Sequence, residues 1–137
     1  TEPVINRELM GYVAMATPHI AGYSHEGKVN GTKMVFEAFA QWADLAVAKD
    51  RGAENTQPRP LLCKSVNQAI LHSYDVAEDH QHMVEAMAAS GTEQRDIAQT
   101  FDRLRRDYPI RREFSYYGID SATENLTQYR SLGFTIV

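Results

Sequence analysis

The stretch "MATPHIAGYSHEG", residues 15–27, sets one histidine, His19, in a loop of small residues behind Pro18 and ahead of Ala21 and Gly22. An imidazole is the side chain best suited to take and return a proton near neutral pH. A carboxylate beside it would fix which ring nitrogen carries the proton and favour the imidazolium. Glu2 and Glu26 are the carboxylates within loop reach. Gly22 can adopt positive φ or let another group approach the backbone closely. Against this acid/base reading stands a plainer one, in which His19 packs against or caps the helix that follows. Spacing alone leaves both open.

Other residues that could do chemistry read as structural. His80 and His82 stand at i and i+2 of an expected helix, so they point to different faces and chelate poorly. With Glu78, Asp79 and Glu85 alongside, they read as solvated helix surface, and no metal site is expected. His72, next to the Val66/Ile70 face, reads as a satisfied, partly buried histidine. Cys63, the single cysteine, has no intrachain disulfide partner and sits in apolar "PLLCKS", which fits a buried thiol. Met83 and Met87 lie one turn apart and read as core or interface filling. Arg103, Arg105, Arg106, Arg111 and Arg112 interleave with Phe101, Tyr108, Phe114, Tyr116 and Tyr117, a pattern compatible with nucleic acid. Asp102, Asp107 and Glu113 interrupt it, so a solvated helix end and an interface strand are expected instead, with no nucleic-acid partner.

The elements that must position these residues follow from periodicity and caps. Pro3 suits the start of a short helix or turn over 2–10, and "YVAMAT" (12–17) reads as a brief buried strand ended by Pro18. Ser24 is an N-cap and Glu26 suits the first turn of the helix it opens. Val29, Thr32, Phe36, Phe39, Ala43 and Ala46 form one face of that helix, with Val35 and Trp42 on a second flank, so burial on more than one side is expected. "KDRGAENTQPRP" (49–60) reads as a junction. Beyond it, "LLCK" is a strand candidate, and helices are expected over 65–76, over 78–90 and from Ser90-Gly91-Thr92-Glu93, read as a capping box, to Pro109. "REFSYYGI" (112–119) alternates as a strand. Ser121-x-x-Glu124 reads as a second capping box, for a helix with Leu126, Tyr129 and Leu132 that Gly133 ends, and "FTIV" closes as a strand. The order β-α-α-α-β-α-β describes a small α/β unit of about three strands. So small a sheet often gains stability by pairing with its copy.

The 137 residues, 43% hydrophobic and 23% charged with net charge −4, are those of an ordinary globular chain of one domain, or one small domain plus part of another. Val35–Ala48, the longest weakly polar stretch, is broken by Glu37, Gln41 and Asp44 and falls short of the ~20 residues of a membrane span. Thr1-Glu2-Pro3 does not begin a signal peptide, and no membrane partner is expected. A cytoplasmic setting fits this reading.

"ATPHIAGYSHEGK…GT…VFEAFAQW", preceded by Glu2-Pro3, resembles the segment bearing the catalytic histidine in D-isomer-specific 2-hydroxyacid dehydrogenases. "FDRLRRDYPIRREFSYYGID" with "LGFTIV" is similar to a C-terminal dimerisation domain that one branch of that family carries and the wider family lacks. The resemblance implies His19 as acid/base, Glu2 as the carboxylate bonded to it, Gly22 as a backbone contact to the nicotinamide end of NAD, and Tyr23 as a contact to a phosphorylated hydroxy acid substrate. It implies a Rossmann-type nucleotide-binding domain ending within residues 1–46, whose last helix leads to a missing domain. A linker over 47–59 and a homodimerising domain over 60–137 complete that layout. No G-x-G-x-x-G occurs in these residues, and the family's carboxylate-binding arginine lies before the Glu-Pro pair. The chain therefore reads as a C-terminal portion, expected to be inactive by itself.

Overall fold

The computed structural model describes residues 1–46 and 57–137. In chain order its elements are α1 (Arg7–Met10), α2 (His25–Trp42), β1 (Arg59–Pro60), α3 (Val66–Ser73), α4 (Val76–Ala89), α5 (Gln94–Arg106), a 3₁₀ turn (Phe114–Tyr116), β2 (Tyr117–Ile119), α6 (Leu126–Leu132) and β3 (Thr135–Ile136). The architecture is mixed α/β, and from residue 59 onward the order matches the β-α-α-α-β-α-β reading. These elements form two compact units, one from residues 1–21 and 74–110, the other from 22–73 and 111–137. Most of the 49–60 junction read from sequence lies outside the described residues.

The first unit is built on α4 and α5. Met83, Met87, Ile97 and Phe101 recur at helical spacing, and their burial joins the two helices, with Ile5, Met10, Ala16 and Leu104 packed around them. Asp75 caps α4 by accepting the Ala77 N–H at 2.9 Å. One oxygen of Asp79 accepts hydroxyl hydrogen bonds from both Tyr74 (2.7 Å) and Tyr108 (2.8 Å), which fastens the chain after α5 to the first turn of α4. The expected capping box at Ser90 does not form. Ser90 Oγ donates instead to the Met87 carbonyl at 2.9 Å, so it serves the end of α4, and Glu93 stands at the α5 N-cap without a side-chain bond. "YVAMAT" is not a strand. Residues 12–15 are exposed, and no described strand pairs with this run to satisfy its backbone.

The second unit holds a parallel three-stranded sheet in the order β1-β2-β3. Arg59 pairs with Tyr117 and Pro60 with Gly118, while Gly118 pairs with Thr135 and Ile119 with Ile136. Parallel β2 and β3 need a crossover, and α6 supplies it. Ala69, Ile119, Tyr129 and Phe134 form the buried core, with Phe134 stacked on Phe114 at 4.6 Å and edge-on to Tyr129 at 5.9 Å. Cys63, partly buried in this core, sits 3.7 Å from the Tyr129 hydroxyl, and burial followed by the thiol's proximity pushes the phenol above its usual range.

Several boundaries differ from expectation. The strand near "LLCK" falls at Arg59–Pro60, although the Leu61 N–H still donates to Gly118 O at 2.9 Å. Residues 114–116 of "REFSYYGI" tighten into a 3₁₀ turn as Tyr116 N–H returns to Glu113 O. Ser121 caps nothing. Its N–H bonds Val137 O, and α6 starts from Asn125 in the left-handed region at φ 61°. Gly133 ends α6 at φ 96°, a conformation that favours glycine. The greatest departure is α2. Of its 18 residues only Ala40 is buried, and Val35 (72%) and Trp42 (82%) are largely exposed. Its two apolar flanks are uncovered, where burial on more than one side was expected. His72 is likewise exposed, since it falls outside the Ala69 stripe that faces the core.

Candidate active site

Two separate arms of the first unit carry Glu2 and His19, and α4 holds both. In the first arm, Asn6 caps α1 by accepting the Leu9 N–H at 3.2 Å. Arg7 Nη1 then donates to Met87 O (3.0 Å), Ser90 Oγ (3.3 Å) and Ser90 O (3.5 Å). A cation at the C-terminal carbonyls of a helix satisfies orphan acceptors and suits the dipole. In the second arm, Ala16 N–H donates to His80 Nδ1 at 3.1 Å, so that nitrogen carries no proton. His80 is half-buried and serves as a fastening point, where a solvated surface was expected. Ile5 and Ala16 press these arms onto the α4–α5 core.

The arms bring Glu2 to His19. Nδ1 of the imidazole lies 2.8 Å from Glu2 Oε2 and 3.1 Å from Oε1. A carboxylate can only accept, so Nδ1 holds a proton, and in the neutral imidazole the lone pair then lies on Nε2. His19 itself adopts φ 58°, with its N–H turned back to Thr17 O at 2.9 Å. A non-glycine residue in the left-handed region is uncommon and gathers at functional sites. Sequence reasoning had offered that conformation to Gly22, which does not take it. A cavity of about 310 Å³ opens within the same unit beside Pro18, lined by Asp79, His82, Arg103 and Tyr108 among others. Its size reaches the lower range of small-molecule sites.

Gly22 and Tyr23 belong to the second unit. A Cβ added at Gly22 would meet no atom within 4 Å, so the backbone there is open to an incoming group. Tyr23 carries Lys28 Nζ 4.3 Å above its ring centroid. Ser24, fully buried, caps α2 by accepting the Gly27 N–H at 3.0 Å. Glu26, the other carboxylate weighed as a partner for His19, is engaged elsewhere. It accepts from Arg112 Nε (2.7 Å) and from the Glu113 N–H (2.9 Å). Burial pushes its carboxyl up, yet the backbone bonds and Arg112 outweigh that and hold it below its ordinary value. Arg112 also lies 3.8 Å over the Tyr116 ring. Arginines of the sequence cluster therefore stand in both units, Arg106 beside Asp107 in one and Arg112 on Glu26 in the other. Among the described residues, no group of three or more His, Cys, Asp or Glu side chains could hold a metal ion. No described helix is long and apolar enough to cross a membrane.

Two comparisons bear on this arrangement. Residues 56–133 match the family model described as "Domain of unknown function (DUF3410)". Along nearly the whole chain, 98% of it, the sequence is 38% identical to the erythronate-4-phosphate dehydrogenase of Marinobacter nauticus, covering 38% of that protein. The chain belongs to the erythronate-4-phosphate dehydrogenase family. The Acinetobacter baumannii enzyme of that name is 39% identical over 85% of the chain, and the Teredinibacter turnerae enzyme 35% over 98%. These alignments cover 33% and 36% of the two proteins, so the chain spans little more than a third of the length of the erythronate-4-phosphate dehydrogenases it matches. The resemblance read from the His19 loop and from the C-terminal segment leads to this same family.

Proposed function

We propose that this chain supplies the acid/base end of an NAD-dependent dehydrogenase that oxidises 4-phospho-D-erythronate at its 2-hydroxyl to 2-oxo-3-hydroxy-4-phosphobutanoate, a step of pyridoxal phosphate (vitamin B6) biosynthesis. The observation that carries this reading is the Glu2–His19 contact at 2.8 Å within a chain of this family. NAD, when bound, supplies the acceptor for the hydride that leaves carbon 2. His19 Nε2 takes the hydroxyl proton as the carbonyl forms, and Glu2 holds the Nδ1 proton and offsets the imidazolium charge. Open space beside Gly22 fits a close backbone approach of the nicotinamide end, and Tyr23 provides a substrate contact one residue on. Residues 1–46 then belong to the end of the nucleotide-binding domain, 47–59 to a linker and 60–137 to the dimerisation domain of a cytoplasmic homodimer.

The test is His19→Asn in a full-length dehydrogenase carrying these residues. Acid/base help is typically worth ~10²–10⁴ in rate, so kcat should fall by that order, with a smaller loss for Glu2→Gln. Unchanged turnover by His19→Asn would overturn the reading. The 137 residues alone contain no dinucleotide fingerprint, and with NAD and phosphoerythronate they should show no turnover. A second reading, self-association without catalysis, draws on the uncovered apolar flanks of α2. Light scattering that finds a clean monomer at tens of micromolar would count against both the dimer and this second reading.

A further inference from the structure

The first turn of α2 is fastened to the segment 111–113 by contacts that neither the acid/base reaction nor helix formation requires. Ser24 bridges Arg111 in parallel register, and the His25 N–H donates to Arg111 O at 2.8 Å. One oxygen of Glu26 accepts from Arg112 Nε at 2.7 Å and the other from the Glu113 N–H at 2.9 Å. The two charged side chains are only 23% and 21% exposed. The Arg112 guanidinium is trapped between that carboxylate and the Tyr116 ring, 3.8 Å from its centroid. A planar guanidinium held by a carboxylate and an aromatic face has little freedom left. The loop Gly22-Tyr23-Ser24 leads directly into this turn, so its exit is fixed on both its backbone and its side-chain sides. Residues 111–116 all lie within the stretch matched by the domain of unknown function.

We propose that Glu26, Arg112 and Tyr116 are positioning residues of the reaction, through which the domain of unknown function holds the Gly22–Tyr23 loop in place for cofactor and substrate. The proposal rests on the reading above, in which Gly22 and Tyr23 face those ligands. It gives that domain a part in turnover that association between subunits does not supply. A loop displaced by an ångström can cost on the order of a hundredfold in rate.

The experiment compares Glu26→Ala, Arg112→Ala and their double variant in a full-length dehydrogenase carrying these residues, each assayed well below its own melting midpoint. Expected are a rise in KM for NAD and a fall in kcat, together on the order of ten- to a hundredfold in kcat/KM. Glu26→Gln, which keeps one acceptor oxygen and so can serve one of the two donors, should recover part of the loss. The double variant should be little worse than either single change, because both remove the same contact. Variants that melt earlier yet keep kcat and KM within about twofold of the parent would overturn the proposal, leaving the contact a purely structural one. Should an alanine variant not fold, Arg112→Lys, which keeps the cation but loses the planar fork and the stack, carries the same test. His19→Asn in the same background separates the two readings. If it retains turnover the functional reading fails, whereas if it abolishes turnover while the other variants are silent, only the positioning role fails.

Discussion

Phe101→Ala tests whether the α4–α5 core is what brings Glu2 to His19. Phe101 is 1% exposed and packs with Met83, Met87 and Ile97, the same cluster on which Ile5 and Ala16 rest. Truncating a buried phenylalanine costs about 3–5 kcal/mol, the transfer of the ring plus the cavity it leaves. A unit of roughly 60 residues has about 3–9 kcal/mol in total at ~0.05–0.15 kcal/mol per residue. The substitution therefore removes at least about a third of what holds the first unit together. Native-state hydrogen exchange reads this locally. Protection at the α5 amides should fall by more than about a hundredfold, since about 1.4 kcal/mol is a factor of ten. The Ala16 amide, which donates to His80, should lose protection alongside them. Phe101→Leu, which keeps most of the buried area, should cost only roughly 1–2 kcal/mol. If α5 loosens while Ala16 keeps its protection, the arms are held by something other than this core, and the account of how the pair is positioned is wrong.

Glu26→Gln gives a prediction with a pH signature. The folded carboxyl is held below its ordinary value, so its contribution is fully present above the ordinary glutamate range and is lost as pH falls through the lowered folded value. At pH 7 the substitution should reduce protection of the Glu113 amide by on the order of 1–2 kcal/mol. The difference from the parent should narrow as pH falls through the lowered folded value, and a difference that does not change with pH would refute the assignment. Gly133→Ala places a Cβ at φ 96° and should lower the stability of the second unit by roughly 1–2 kcal/mol in urea unfolding. An unchanged midpoint would show that the end of α6 relaxes at no cost.

What the sequence made legible was what neighbours in the chain decide. Ser24 capping α2, Gly133 ending α6, and the Ile97 and Phe101 stripe of α5 all depend on residues within a turn or two, and all were foreseen. Signals that need a distant partner were misread. "YVAMAT" has the composition of a strand but no described strand beside it. Ser90 and Ser121 have capping-box spacing, yet each is claimed by another backbone group, Met87 O in one case and Val137 O in the other. Apolar content in α2 says that the helix calls for cover, not what supplies it. At the site, His19 and Glu2 were visible because the motif announces them, while their fastenings were not. No local pattern links Arg7 to Met87 or Ala16 to His80.

Those fastenings matter more than the attraction they frame. His19 and Glu2 remain 66% and 46% exposed in their side chains. Even as a full ion pair, a contact this open to water would contribute ~0.2–1 kcal/mol at most and be screened by salt. That is too little to order two chain segments against their own conformational entropy, which runs to about 1–2 kcal/mol per residue. The pair cannot be the cause of its own geometry. The order must come from Arg7 on the end of α4, His80 on the Ala16 N–H, and the apolar weight of Ile5 and Ala16 on the helical core. An imidazole held this way meets the carboxylate already oriented, which is what the proton transfer proposed at Nε2 requires. Preorganisation of this site is thus a property of α4 and of the arms it holds.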